Sequence, residues 1–333
     1  MTRLKDLGEF ELIDLITHQV PSASGRLLQG IGDDCAVIIG ERDVATLVTV
    51  DTMVEGIHFD LSTSTPEGVG SKLLAVNLSD IAAMGGLPYE AFLAISAPAE
   101  FDANVIERIA GGIQVNGARF GVQIAGGDTT STRGPLVLSL TLIGACARDE
   151  VVYRSGARPG DSIYVTGTLG NSAAGLLLAR DSKGFDSAHR TQLLRRHNRP
   201  EPRVSVGREL ASKRIATSMI DVSDGLGADL RHVCKLSGVD MIVDPTCLPV
   251  SDSLVAFCEA RGLNPAEFAL TGGEDYELAF TTGKSDPSLV LEAVCPLTCI
   301  GKVMSGPGSV RVGSEVQNEV FKKKGFDHFF DRK

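Results

Sequence analysis

Tryptophan is absent from this 333-residue chain, and tyrosine occurs only four times. That leaves few flat side chains on which nucleobases could stack. The formal net charge of -10 argues against a nucleic-acid or anionic-membrane surface as the main function. No run approaches the roughly 18 apolar residues that a membrane-crossing helix requires. The segment MTRLKDLGEFELIDLI carries charges throughout and lacks the apolar centre of a secretory signal, so a cytoplasmic location is expected. The seven cysteines include no CxxC pair. Cys295 and Cys299 in CPLTC have no second half-site nearby, and all seven read as reduced thiols. Neither HxxxH nor HExxH occurs among the six histidines, which removes the usual zinc patterns. GxSxG and GxxxxGK[ST] are missing too. The glycines of VTGTLGNSAAGL lack the GxGxxG spacing and read as close helix–strand packing. No residue is expected to act as a covalent or strong acid–base catalyst.

What is present is a composition of 43% hydrophobic and 22% charged residues, enough for a sizeable core in one large domain or two ordinary ones. EFELIDLI reads as a short amphipathic helix. VATLVTVD reads as a strand ending at Asp51. GVGSKLLAVNLSDIAAMGG and NVIERIAGGIQVNGARFG read as helices, VQIAGGDTT as a short strand running into a glycine turn, and PLVLSLTLIGACA as a longer strand. RSGARPGD gathers glycine, proline and charge and marks a boundary, dividing the chain into 1–148 and 149–333. Beyond it, SIYVTG is a strand, NSAAGLLLAR a helix, and DSKGFDSAHRTQLLRRHNRPEPR a helix pair with a loop. TSMIDVSDGL repeats the strand-then-acid arrangement, GADLRHVCKLSG follows as a helix, and MIVD, YELAFTT, CIGKV and SVRV read as strands. The alternation predicts an α/β fold in both halves.

Six acidic turns punctuate this pattern: GDD (Asp33, Asp34), TVDTMVEG (Asp51), NLSD (Asp80), GGDTT (Asp128), DVSDG (Asp221, Asp224) and GGEDYE (Glu274, Asp275). Taken singly, each acid could be a turn former or helix cap. Taken together, acids set so repeatedly beside apolar strands point to convergence. Converging carboxylates repel, and some protonate unless a cation intervenes. A hard divalent ion such as Mg²⁺, which accepts carboxylate and phosphate oxygens, relieves that repulsion. Asn77 and Asp80, three apart on a helix, share a face. His58 in EGIHF follows the Asp51 strand and reads either as a structural histidine or as a member of the site.

In this order the motifs IGDDCAV, VDTMVEGIHF, KLLAVNLSDIAAMGG, GGDTT, RSGARPGD, VTGTLGNSAAGL, IDVSDGL, GGEDYEL and GFDHF resemble those of the thiamine-monophosphate kinases. The first are shared loosely with aminoimidazole ribonucleotide synthetase, selenophosphate synthetase and a hydrogenase-maturation protein. The resemblance implies a two-domain α/β (α+β) fold of the aminoimidazole ribonucleotide synthetase type. It implies a homodimer whose N-terminal sheets join into a barrel, with 1–148 carrying ATP, Mg²⁺ and dimer contacts and 149–333 adding metal and substrate residues. It implies ATP-dependent phosphorylation of thiamine phosphate to thiamine diphosphate, with several Mg²⁺ ions as cofactors. Carried over by position, metal ligands fall on Asp34, Thr49, Val50, Asp51, Asp80, Asp128, Asp221 and Asp224. ATP contacts fall on Gly127, Asp128, Arg154 and Ser223, and substrate contacts on His58, Glu274 and Phe326. Val50 stands where the family often has a hydroxyl residue and could contact metal only through its carbonyl. The alternatives are another ATP-using superfamily member with a different acceptor, or a non-catalytic sensor of ATP and Mg²⁺.

Overall fold

The computed structural model describes residues 4, 8–18, 25–40, 43–181, 185, 187–284, 286, 287, 291, 295–323 and 325. The N-terminal half forms a sheet from β1 (Leu27–Gln29), β2 (Ala36–Ile39), β3 (Val44–Val54), β4 (Leu87–Ala97), β5 (Gln123–Ser131) and β6 (Val137–Ala147), in the order β1-β2-β3-β6-β4-β5. Its helices are α1 (Glu9–Thr17), α2 (Pro66–Ala83) and α3 (Ala103–Phe120). The C-terminal half forms a second sheet from β7 (Ser162–Thr166), β8 (Ser218–Asp221), β9 (Val239–Val243), β10 (Leu278–Thr282), β11 (Leu297–Ser305), β12 (Val310–Gly313) and β13 (Asn318–Val320). These run in the order β13-β12-β9-β11-β7-β10-β8. Around it lie α4 (Asn171–Arg180), α5 (Ser187–Asn198), α6 (Val204–Ser212), α7 (Leu226–Ser237), α8 (Asp252–Arg261) and α9 (Pro265–Thr271). Helices and strands mix as expected. Among the named strand pairs only β4–β5 and β9–β12 are parallel, so the α+β form of the expected class applies.

The central element is α2. Thr65 caps it by accepting from the Gly68 N–H at 3.1 Å, Pro66 presets its first turn, and Gly85, at φ +74°, ends it. Almost every side chain along it is buried. It lies against the first sheet, against α3, and against α6 of the other half. Two glycines set the α2–α3 distance. A Cβ on Gly70 would stand 1.9 Å from the Ile109 carbonyl oxygen, and one on Gly112 would stand 2.1 Å from that of Glu67. The opposite face of the first sheet is left uncovered by the described residues of the single chain: Val44, Val50 and Phe92 are exposed, and so is nearly all of β5.

Four local expectations are corrected. β3 does not end at Asp51 but runs to Val54, because Asp51 pairs with Leu140 in mid-ladder. GGDTT is not a turn: Gly126 and Gly127 lie inside β5, where a Cβ on Gly127 would come within 1.8 Å of the Leu93 carbonyl oxygen. The polar stretch after α4 holds one helix, α5, among its described residues, and α6 starts only after it. In VTGTLGNSAAGL the close packing at Gly175 is helix on helix rather than helix on strand, with a Cβ there falling 2.3 Å from the Leu193 carbonyl oxygen of α5.

The α2–α3 contact yields a direct expectation. Gly70→Ala forces the two helices apart and destabilises the fold by about 3 kcal/mol, whereas Gly111→Ala, with open space around its Cβ position, leaves the melting temperature nearly unchanged. Equal melting temperatures for the two variants would contradict this account of the packing.

Candidate functional site

Three carboxylates from three distant segments meet at one point. Asp34 follows β1, Asp80 comes from the last turns of α2, and Asp221 closes β8. One oxygen of each lies within 4.8 Å of the others. Each acid is held by hydroxyl or cation. Thr49 of β3 donates to Asp80 Oδ2, and Ser79 donates to Asp221 Oδ2 at 2.7 Å. Arg154 donates from Nη2 to Asp34 Oδ1 at 2.5 Å, and its backbone N–H reaches both carboxylate oxygens of Asp33, at 3.3 and 3.2 Å. Asp34 Oδ2 is buried with no hydrogen-bond partner among the described residues. A buried carboxylate oxygen left so is costly, and a cation would satisfy it.

The charge state follows from the crowding. Burial, then the charge of Asp34, pushes Asp221 up to about 8. Burial, then Asp34, raises Asp33 to about 7, and burial raises Asp51 to about 6. Burial, then Asp51 and Asp221, holds Asp80 well above the carboxylate range. The donors are hard oxygens, which is the ligand set of Mg²⁺ or a similar ion.

These acids open into a cleft of about 1010 Å³ lined by both halves of the chain. Of the residues carried over from the resemblance, Asp34, Thr49, Val50, Asp51, His58, Asp80, Arg154, Asp221, Ser223, Asp224 and Glu274 all line it. Phe326 lies outside the described residues, while its neighbour Gly325 lines the cleft. Gly127 and Asp128 are not brought there by this chain. The sheet order separates β5 from β3 by two strands, and the register puts Thr52, Ser139, Ala94 and Asp128 in one row. Asp128 is therefore exposed on the uncovered face, along with Val50, whereas Asp51 points toward α2.

At the far end of the cleft, His58 accepts the Val54 N–H on Nδ1 at 3.0 Å, which leaves Nε2 as the protonated nitrogen of the neutral ring. Glu274 is gripped by Lys72 at 2.7 Å and by His197 at 3.3 Å. Burial pushes the Glu274 carboxyl up, but Lys72 and the nearby histidines outweigh it and bring it below its ordinary value. Neither Lys72 nor His197 stood out in the sequence. Asn77, which did, is turned into the core, with its side-chain amide donating to the Leu73 carbonyl. The stripe that faces the cleft is instead Lys72, Val76 and Asp80, at i, i+4 and i+8.

A pH dependence follows. Asp221 titrates higher in the folded protein than in the unfolded chain, so the fold binds the extra proton, and stability falls as pH rises from about 4 towards about 8. Asp221→Asn removes that penalty. With divalent ions chelated, the variant is expected to melt above the parent protein at pH 8, with the gap closing as pH falls towards 4. A variant less stable at pH 8 would contradict the crowding of acids.

Two family models match this chain: the N-terminal domain of AIR synthase related proteins over residues 32–146, and the C-terminal domain over residues 158–312. The chain is 38% identical to the thiamine-monophosphate kinase of Bacillus subtilis (strain 168), covering 97% of this chain and 100% of that protein. It is 39% identical to the thiamine-monophosphate kinase of Escherichia coli (strain K12), covering 97% and 98%. A solved structure described as AaThiL complexed with AMPPCP and TMP superposes with a TM-score of 0.87 at 37% identity, covering 98% of this chain and 99% of that one. With a matching fold over nearly its whole length, the chain belongs to the thiamine-monophosphate kinase family of AIR synthase related proteins.

Proposed function

We propose that this chain uses ATP to phosphorylate thiamine phosphate, giving thiamine diphosphate. One observation carries the reading to the residues: the acid cluster and the His58–Glu274 pair open into the same cleft, so a metal–phosphate end and an acceptor end face each other. The solved relative with AMPPCP and TMP supports the pairing of these two ligands.

Asp34, Asp51, Asp80, Asp221 and Asp224, with the Thr49 hydroxyl and the Val50 carbonyl, would hold several Mg²⁺ ions. Bound there, Mg²⁺ supplies the charge neutralisation that lets two anionic phosphates approach. Arg154 and Ser223 are assigned to the ATP phosphates. Nε2 of His58 can donate to the acceptor phosphate, Glu274 accepts hydrogen bonds from the acceptor, and Phe326 offers it an aromatic face. The attacking oxygen belongs to a phosphate already anionic near neutral pH, so no strong base is required and transfer is direct. The division into 1–148 and 149–333 assigns one sheet to each unit, and a cytoplasmic setting suits an ATP-using biosynthetic step.

A homodimer accounts for Gly127, Asp128 and the uncovered sheet face. If two first sheets join through that face, Asp128 of the partner subunit would approach the metal end from the side of Val50. Two rival readings differ in turnover: another superfamily kinase would prefer another acceptor, and a sensor would bind ATP and Mg²⁺ without releasing ADP.

ADP release is expected only with thiamine phosphate and Mg²⁺ both present, and γ-labelled ATP is expected to leave no covalent label on the protein. Asp51→Asn should lower turnover by about 100-fold or more with the fold intact. Turnover near the parent level at low Mg²⁺ would remove Asp51 from the site.

The dimer has a separate test. Mixing Asp51→Asn chains with Asp128→Asn chains should restore about a quarter of the parent activity, because half the dimers are mixed and each holds one intact site. No recovery on mixing would place Asp128 in its own subunit's site, and an Asp128→Asn chain active by itself would place it outside catalysis.

A further inference from the structure

The loop GGEDYE is held against its own preferences. Glu274 and Tyr276 both have left-handed backbones, at φ +64° and +52°, which is uncommon for side chains of their size. Surrounding contacts fix that conformation. The Glu274 N–H donates to the Ser223 carbonyl at 2.7 Å and the Tyr276 N–H to that of Val222 at 2.9 Å. The buried Asp275 carboxylate accepts from the Gly170 N–H at 2.5 Å and the Ser172 N–H at 3.2 Å, at the start of α4. The backbone is therefore pinned to the second sheet and to α4, and the Glu274 side chain is left to cross into the cleft.

There it meets Lys72, whose side chain is 4% exposed and comes from α2 in the other half of the chain. Lys72 Nζ is 2.7 Å from Glu274 Oε1 and 3.4 Å from the His58 carbonyl oxygen. His197, on the other oxygen, contributes less than Lys72: burial, then Lys72, lowers it to about 4, so near pH 7 it meets Glu274 as a neutral hydrogen-bonding ring. Lys72 is thus the cation that lets Glu274 stay ionised, and its second contact ties it to the segment that carries His58. The Glu274 side chain keeps 29% of its surface open, on the cleft side.

We propose that Lys72 is a positioning residue for the acceptor: by pairing with Glu274 across the two halves and holding the His58 carbonyl, it sets the geometry of the thiamine phosphate pocket. This rests on the functional reading above and adds a residue that does not touch the reacting atoms. Straining Glu274 into a fixed position makes sense if its carboxylate must meet a ligand group at one place. Removing the lysine leaves a half-buried carboxylate without its counter-charge, which would then turn, protonate or draw in water.

The test uses the full chain. Lys72→Met is expected to raise the apparent KM for thiamine phosphate by about tenfold or more while that for ATP stays within about twofold, and Lys72→Arg should recover part of the loss. In a Glu274→Gln background, Lys72→Met should add little further, because the partner through which it acts is gone. A melting curve accompanies each variant. If Lys72→Met fails to fold, Lys72→Arg and the Glu274→Gln double variant carry the comparison. An unchanged acceptor KM in Lys72→Met, equal losses for both substrates, or full additivity with Glu274→Gln would each overturn the proposal. A parent protein that neither binds nor phosphorylates thiamine phosphate would defeat the functional reading itself, and this inference with it. Parent activity with an unaffected Lys72 variant defeats this inference alone.

Discussion

Three carboxylates forced within 4.8 Å of each other are the constraint around which this molecule is arranged. Left alone, they would repel or take up protons. The surroundings answer with two hydroxyls, from Thr49 and Ser79, and one guanidinium, from Arg154. Each comes from a different part of the chain, so the cluster also gathers both sheets. Thr49 belongs to the first, Asp34 to the bend between its β1 and β2, Asp221 to the second, and Asp80 and Ser79 to the helix between them. The meeting of the two halves is shaped by a repulsion that serves chemistry, and the apolar burial along α2 must offset it.

The opposite end of the cleft solves its electrostatics differently. Glu274 has a cation of its own in Lys72, while the acid cluster keeps one carboxylate oxygen of Asp34 without a partner among the described residues. One carboxylate is thus satisfied within the protein and ready to meet a neutral or polar ligand group. The others remain underneutralised, a state that suits the metal and phosphate proposed to bind there. Distinct roles for acids in one cleft follow from their neighbours rather than from residue type.

Much of this was legible in the sequence because the relevant residues break a local rule. Asp33 and Asp34 inside IGDDCAVI, and Asp221 at the end of SMID, stand out against apolar neighbours. Lys72 broke no rule. A lysine in a helix ordinarily faces solvent, and its burial became visible only once α2 was seen to be covered on nearly all sides. Its spacing of eight from Asp80 was the available signal. That Asp128 and Asp51 of one chain lie on opposite faces of the first sheet was not legible for a different reason: the face a residue occupies depends on register across three strand pairings, a non-local property. The glycines beside it looked like a turn, and only the approach of Leu93 explains them as strand residues.

Because Lys72, Val76 and Asp80 lie on one stripe of a single rigid helix, α2 acts as a gauge. Eight residues of helix span about 12 Å. One end of that interval is fixed by the Glu274 pair and the other by the acid cluster. Any opening or closing of the two halves would alter the width of the cleft but not the distance between these marks. Under the proposed function a ligand would be measured by length before shape, a molecule that reaches only one mark being held at one end with its other end short of its partner.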